Sequence, residues 1–257
     1  AVSVATATTA VRLRGLRHLD GGKIASGSLP AVGAVLAQPN LPDFDAKDEA
    51  FWRMALTKSA PAQVPFIAAR SGEPELAIRP LTLPAGLSAA QGVTAGAVAV
   101  LNGEEAAQGV FALKVKPEHP LAAGWVPLHI SAGGEAAVQS VQDDVTRHLD
   151  RAQTSAGMAQ DLLARDPVSA ANGQPLIGFS LEATPVENAA LTLCLDGAVA
   201  QLTYDKTRLS DVAVDLICAR IEAAAASLAD AQTCNDLRRM PVSEVALLDG
   251  WNDTARA

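Results

Sequence analysis

The chain has 257 residues, a formal net charge of −8 at pH 7 and a sequence pI near 5.0. Hydrophobic residues make up 49% and charged residues 19%, a composition that supports a folded core and excludes the disordered class. Its lysines and arginines form no run, so the chain lacks the basic face that binding to nucleic acid needs.

The first 45 residues predict one or two strands and a long loop. Val2 and Val4 alternate with small residues, and a stretch rich in glycine, serine and proline follows over 21–42. Next, 48–56 has the pattern of a short helix with Phe51 and Trp52 on its apolar side. Because the chain has few aromatic residues, we expect Trp52 to be buried.

The middle of the chain predicts strands and one clear helix. The predicted strands lie at 77–79, 98–101, 110–115 and 125–130, with one buried face where apolar residues alternate. Apolar residues then recur at three- and four-residue steps over 138–152, which is the pattern of an amphipathic helix.

The C-terminal part predicts a strand at 176–181, a hairpin and a long helix. Asp196-Gly197 is a strong turn signal between two alternating segments, 191–195 and 199–204. Ser210 or Asp211 is placed to cap a helix that continues to about Leu228.

These C-terminal elements occur in an order that resembles the end of condensation-superfamily domains of nonribosomal peptide synthetases. In that family a strand and a hairpin ending in a tyrosine-plus-acid step precede a long helix and a Leu-Leu…Trp-Asn-x-Thr segment. The corresponding residues here are Tyr204-Asp205, Leu247-Leu248 and Trp251-Asn252-Asp253-Thr254. In the family the last segment is similar to the linker that leads into an adenylation domain.

Two earlier stretches fit the same resemblance. The segment 49–56, with its Phe-Trp-Arg sequence, resembles the family's aromatic-Trp-Arg-x-x-Leu helix, and 126–130 is similar to its Leu-Pro-Leu-Arg-Val strand. The resemblance covers about 48–257 and is thin over 70–125. It implies an α+β fold, the chloramphenicol acetyltransferase-like C-terminal lobe of a condensation domain, in which helices pack on a mixed sheet. An unrelated α+β domain with coincidental patterning is the alternative.

The resemblance also implies a division of the chain and a set of partners. Residues 1–45 would be an arm or a remnant of a first lobe, 46–240 the lobe itself, and 241–257 a linker. We expect 242–250 to pack on the lobe with its leucines inserted. The implied partners are a downstream adenylation domain and a peptidyl carrier domain, whose phosphopantetheine would be the only cofactor nearby. Interface residues in this scheme are Leu247, Leu248, Trp251 and Asn252.

Catalysis by this family needs a His-His-x-x-x-Asp-Gly motif, which the chain lacks. Its four histidines are never adjacent. In the nearest candidate, His18-Leu19-Asp20-Gly21, a single residue separates His from Asp, and a surface turn is the favoured interpretation. We predict no catalytic residue, no bound cofactor and no metal site.

The remaining histidines and cysteines have simpler interpretations. His119 lies in a proline-bounded loop and is expected to be exposed, His129 is expected to face outward from its strand, and His148 to pair with Asp144 on a helix surface. Ser140 and Ser180 have no histidine within motif distance and are interpreted as structural. Cys194 and Cys218 are expected to be small buried side chains, and with Cys234 they match no metal motif.

No stretch is apolar enough to cross a membrane, and the N-terminus lacks the pattern of a signal peptide. We therefore expect a reduced, cytoplasmic protein. Because the sequence has no first methionine, we expect an excised or internal fragment.

Two functions remain open. The chain is either a non-catalytic, donation-associated docking domain, as in starter modules that resemble aminoadipyl-cysteinyl-valine synthetases, or the C-terminal half of an active condensation domain. An epimerisation domain is a weaker third possibility, because such domains are not usually followed by the Trp-Asn-x-Thr segment.

Overall fold

The computed structural model describes residues 2–5, 9–16, 24–35, 46–58, 60–64, 66–101, 107–117, 121–154, 158–166, 168, 173–197, 199–238 and 240–253. The chain divides into two compact units, Ala1–Pro42 and Asp43–Ala257. In the first unit, β1 (Val2–Ala5) pairs with β2 (Ala10–Leu13) as an antiparallel hairpin, and a short 3-10 turn follows at Ser26–Ser28. The prediction of one or two strands here is confirmed.

The second unit contains a six-stranded mixed sheet of β3 (Leu76–Pro80), β4 (Gln108–Lys114), β5 (Trp125–Ser131), β6 (Ile177–Ser180), β7 (Leu191–Asp196) and β8 (Val199–Asp205). The order of the strands in the sheet is β3-β8-β7-β6-β4-β5. The β6–β7 and β4–β6 pairs are parallel, and the other neighbours are antiparallel.

The predicted hairpin is confirmed as β7 and β8. Asp196 pairs with Val199 at its tip, and Gly197 takes a φ of +58°, a left-handed conformation that favours glycine. At the other side of β8, Pro80 ends the edge strand β3, where its missing N–H interrupts no inner ladder.

Helices α1 (Ala46–Thr57), α3 (Val138–Thr154) and α5 (Asp211–Ser227) confirm three predicted helices. The short helices α4 (Leu162–Arg165) and α6 (Cys234–Leu237) follow α3 and α5 along the chain. Trp52 on α1 is 0% exposed, as predicted, and its ring meets Phe51 edge-on with centroids 4.8 Å apart.

The prediction of a strand over 98–101 is wrong, because Val98 and Val100 end helix α2 (Ala89–Val100). Ser88 and Gln91 form a capping box at its start, ten residues before the valines. Every residue from Gly92 to Ala99 is buried, so the polar stripe that identifies a surface helix is missing.

Helix α2 lies between α3 and α5 on one face of the sheet. Two glycines allow α2 to lie close to strand β7: a Cβ at Gly92 would lie 2.7 Å from Leu195, and one at Gly96 would lie 2.7 Å from Leu193. The core of this alanine-rich chain is therefore built on short distances between backbone and large strand side chains.

The last helix, α7 (Val242–Asp253), occupies most of the segment that the sequence assigned to a linker. It contacts α5, as the expectation for 242–250 requires. The expected insertion of its leucines is wrong for Leu248, which is 38% exposed. Among the described residues, no helix is long and apolar enough to cross a membrane.

Candidate docking site at the C-terminal helix

Helix α7 begins directly after a proline. The Pro241 carbonyl accepts hydrogen bonds from the N–H groups of Glu244 and Val245, which closes the first turn. Glu244 adds a negative charge near the N-terminus of α7, where it interacts favourably with the helix dipole. These local features explain why a helix, and not an extended tail, forms here.

One ion pair holds α7 against α5. The Nε of Arg220 on α5 donates to Glu244 Oε2 at 2.8 Å, and a second guanidinium nitrogen donates to Oε1. This bidentate bond with the guanidinium lowers the pKa of Glu244 below its usual value, against the effect of burial, and raises that of Arg220. Both side chains are more than two-thirds shielded from solvent, so the pair is stronger than an ordinary surface pair.

The exposed surface of α7 has an apolar character instead. Val242, Val245 and Leu248 recur at three-residue intervals and are 86%, 42% and 38% exposed. Residues three apart are neighbours on a helix, so these three side chains form one apolar strip, which we call the α7 stripe. Apolar side chains grouped in this way at the surface mark contact sites more often than scattered ones do.

The four interface residues predicted from the sequence all belong to α7. Leu248 lies in the α7 stripe. The side chains of Leu247, Trp251 and Asn252 lie outside the described residues, although their backbone is helical. The interface assignment of all four stays a prediction.

The Tyr204-Asp205 step at the end of β8 fixes the start of α5, the helix that carries Arg220. The Tyr204 hydroxyl donates to Asp211 in the first turn of α5. Burial, followed by this hydrogen bond, raises the pKa of Tyr204 to about 12, and the same bond lowers the pKa of Asp211. Arg79 of β3 pairs with Asp215 one turn further along α5, at 3.0 Å.

Asp205 holds the turn between β8 and α5. Its Oδ1 accepts hydrogen bonds from Glu75 N and from both N and Oγ1 of Thr207. Burial alone would raise its pKa, but these bonds and the nearby Arg70 guanidinium keep it below the usual value. The acid of the tyrosine-plus-acid step therefore acts as an anchor for the backbone.

No histidine with described surroundings stands in a catalytic arrangement. The prediction that His129 faces outward is wrong: it is only 7% exposed, because side chains on both faces of β5 are buried, and both α1 and α3 pack against this strand. Burial, and then the charges of Lys58 and His148, lower its pKa to about 4. His18 and His119 lie outside the described residues.

The predicted surface pair of His148 with Asp144 takes a different form. His148 Nδ1 lies 2.9 Å from the backbone oxygen of Asp144, whose carboxylate binds Arg147 instead. Arg147 is one residue closer to Asp144 along the helix, and its longer side chain reaches the carboxylate.

The serines and cysteines occupy structural positions. Ser180 is buried and exchanges hydrogen bonds with the backbone of Glu182, which supports its structural interpretation. Burial raises the pKa of the Cys194 and Cys218 thiols, to about 12 for Cys218, so neither is poised as a thiolate. Cys218 is half-buried and not buried as predicted, because Ile217 and Ile221 occupy the inner side of α5. In the described part of the chain, no group of three metal-binding side chains comes together.

Sequence reasoning missed the Arg220–Glu244 pair. The two residues are 24 positions apart on different helices, and neither lies in a recognisable motif. The sequence does show three apolar residues at three-residue spacing after Pro241, which is a helical pattern. This segment was interpreted instead as a tail whose leucines insert into the lobe.

Comparison with known proteins gives similarity in structure only. No protein-family model matches the sequence, and no curated protein matches it. Among solved structures, the X-domain from teicoplanin biosynthesis has a TM-score of 0.54 at 14% identity, over 76% of this chain and 57% of that one. The same X-domain in complex with OxyB gives 0.54 at 14% identity, over 73% and 54%.

A starter condensation domain of rhizomide synthetase, in a mutant form bound to C8-CoA, gives a TM-score of 0.54 at 16% identity, over 74% of this chain and 53% of that one. The chain has the condensation-domain fold. The α+β class expected from the sequence is thereby confirmed. The chain spans little more than half the length of each of these neighbours.

Proposed function

We propose that the chain is a non-catalytic, condensation-like domain of a nonribosomal peptide synthetase that docks onto an adenylation domain following it. The observation that carries this proposal is the α7 stripe, an exposed apolar strip on a helix that the Arg220–Glu244 ion pair joins to the lobe. The condensation fold supports the setting, and the Trp-Asn-x-Thr segment, by its family resemblance, supports an adenylation domain as the partner.

The proposal divides the chain by role. Residues 46–240 form the lobe, 241–257 lead to the partner, and 1–45 are an arm or a remnant of another lobe. A starter module has no upstream peptide to condense, so a lobe kept for packing suits such a module, including one that resembles an aminoadipyl-cysteinyl-valine synthetase. A neighbouring carrier domain would bring phosphopantetheine, and the assembly would work in the cytoplasm.

A second candidate is the C-terminal half of an active condensation domain. The observation that favours it is the coverage: the chain matches about 54% of a starter condensation domain of rhizomide synthetase solved with C8-CoA and Leu-SNAC. A His-His-x-x-x-Asp-Gly motif would then lie on the half that has no counterpart here.

Docking is tested by measuring how tightly the chain binds the separately purified adenylation domain. We expect Val245→Ser and Leu248→Ser to weaken binding at least tenfold, since removing an apolar contact residue from an interface costs about 1–2 kcal/mol or more. Val212→Ser on α5 is the matched control, because Val212 is an equally apolar, exposed helix residue outside the α7 stripe. Equal affinity for all variants would contradict docking through α7.

Catalysis is tested separately with carrier-bound aminoacyl thioesters. We expect no dipeptidyl product from the chain alone. Formation of product that is lost in His18→Ala would overturn the non-catalytic assignment. Product formed only by a longer polypeptide that carries a His-His-x-x-x-Asp-Gly motif would favour the second candidate.

A further inference from the structure

Strand β3 forms one edge of the six-stranded sheet, and its outer side has no partner strand among the described residues. The Glu75 carbonyl accepts a hydrogen bond from Lys206 N–H, and Leu81 N–H donates one to β8, so the odd-numbered residues bond toward β8. Hydrogen bonding alternates along an antiparallel pair, which points the N–H groups of Leu76 and Ile78 away from β8. An edge of this kind is a template for a further strand.

The two faces beside this free edge differ in chemistry. On one face Leu76 and Ile78 are 57% and 53% exposed. On the other face Arg79 pairs with two carboxylates of α5, Asp215 at 3.0 Å and Asp211 at 3.4 Å, and both acids are more than half exposed. Two carboxylates against one guanidinium leave an excess of negative charge. A strand that adds here therefore needs apolar residues on one face and basic residues on the other.

Strand β2 has this alternation. The sequence Val11-Arg12-Leu13-Arg14 alternates apolar and basic residues, and β2 is exposed over its whole length. In the hairpin Val11 pairs with Val4, so apolar side chains of both strands share one face. A hairpin of two strands is marginally stable in water, and a third strand beside it would stabilise it.

The charge of the chain divides in the same way. The first 42 residues contain Arg12, Arg14, Arg17 and Lys23 against Asp20, a formal charge of +3, whereas the whole chain carries −8. The remaining residues therefore carry −11. A basic segment and an acidic surface of this kind attract each other when two chains meet.

We propose that β2 of one chain adds to the free edge of β3 in a second copy, so that two chains exchange their N-terminal hairpins in a symmetric dimer. In this pairing the apolar face of β2 continues the face of Leu76 and Ile78, and its arginines face the α5 carboxylates. Pro80 has no N–H, which limits the edge to a short pairing, and the four residues of β2 match that length.

A second copy suits both surfaces because it carries the same acidic edge and the same basic strand. A dimer with two-fold symmetry then forms each contact twice in one complex. The proposal concerns a different surface from the α7 stripe and does not depend on docking.

Sedimentation velocity and hydrogen exchange of the full chain, each over a series of concentrations, test this pairing. We expect a dimer that dissociates on dilution. The amides of Leu76 and Ile78 should exchange at least about tenfold more slowly as the dimer forms, since their N–H groups gain acceptors. The amides of Ala77 and Arg79 already bond toward β8 and serve as the internal reference. A chain that is monomeric at every concentration, or edge amides whose exchange does not change with concentration, would overturn the proposal.

A substitution in the edge separates this surface from other routes to association. Ile78→Lys places a charge in the free edge and should abolish the dimer. Met54→Lys is the matched control, because Met54 is an exposed apolar residue on α1, and the dimer should persist. Association that survives Ile78→Lys, or that both variants weaken equally, would contradict pairing through β3.

A charge swap identifies the chain from which the added strand comes. Arg12→Glu with Arg14→Glu should weaken the dimer at least about tenfold, and Arg53→Glu with Arg147→Glu makes the same change of net charge at exposed arginines elsewhere as the control. An Asp215→Lys chain should also dimerise weakly alone. Mixed with the Arg12→Glu/Arg14→Glu chain it should form a heterodimer, because both contacts then join opposite charges. If the mixture stays monomeric, and one chain with all three substitutions protects its edge amides at every concentration, the hairpin binds its own chain and the proposal is wrong.

Discussion

Helices α1 and α7 have the same length of 12 residues, and each is tied to a neighbouring helix by an arginine–carboxylate pair, but they relate to the core in opposite ways. Helix α1 buries Trp52 completely. Helix α7 instead leaves Val242, Val245 and Leu248 exposed. The difference teaches that the ion pair orients both helices, whereas burial of apolar side chains decides which helix the fold depends on. The exposed apolar side chains of α7 are therefore available to a partner.

The largest expected effect is on α1. Replacing Trp52 with Ala removes a fully buried indole and should lower the free energy of unfolding by about 3–5 kcal/mol. Chemical denaturation measures it, with Met54→Ala as the control, because Met54 is exposed on the same helix and its loss should cost within about 0.5 kcal/mol. An unchanged denaturation midpoint for Trp52→Ala would show that α1 is no more a part of the core than α7.

The next effect is the pH dependence of stability that His129 produces on β5, the strand against which α1 packs. The pKa of His129 is about 4 in the folded chain and near 6.5 when unfolded, so the unfolded state binds the proton more tightly. Stability should fall by up to about 3 kcal/mol as pH decreases from 6.5 to 4. The groups that act on this titration are Lys58, His148 and Asp144.

Denaturation series at several pH values measure this effect, with His129→Leu as the variant that should lose it. Glu244 on α7 gives a contrasting window. Its lowered pKa contributes stability above its usual value of 4.5, which is lost only as pH falls through the folded pKa. If stability changes by the same amount between pH 6.5 and 4.5 with and without His129, the burial of this histidine is not as described.

Sequence patterns predicted those elements whose side chains show a clear inside and outside. Helix α3 was predicted from apolar residues at three- and four-residue steps, and the β7–β8 hairpin from alternating apolar and polar residues. The burial of Trp52 was predicted because a rare aromatic pair must be buried. The end of helix α2 was mistaken for a strand over 98–101, because the helix is buried over 92–99 and its valines favour strands locally. His129 was placed outside because the sequence of β5 does not reveal that side chains on both faces of this strand are buried. The Arg220–Glu244 pair joins positions that only the fold brings together.

A smaller effect is expected at the ion pair of α7. Arg220→Gln removes the guanidinium and should make local opening of α7 easier by about 1–2 kcal/mol, because a partly shielded charged bond is lost. Hydrogen exchange of α7 amides measures this, and the global unfolding transition should move little. A double-mutant cycle with Glu244→Gln isolates the pair. A coupling energy near zero would mean that other contacts hold α7.

The smallest effect on stability is expected in the α7 stripe. Leu248→Ser should change the unfolding free energy of the chain alone by within about 0.5 kcal/mol, since the side chain is already exposed. Thermal and urea denaturation of this variant beside Trp52→Ala compare the two helices directly. A loss as large as that of a core residue would place Leu248 in the core and remove the reason to propose docking.

Hydrogen exchange of Val242–Asp253, in the chain alone and in the polypeptide continued through the adenylation domain, tests the central claim most directly. If α7 docks, its amides should exchange at least tenfold more slowly in the longer polypeptide, because burial of the stripe suppresses local opening of the helix. The amides of α3, which lies outside the proposed interface, should exchange at the same rate in both. Equal exchange of α7 in the two polypeptides would contradict docking through the α7 stripe.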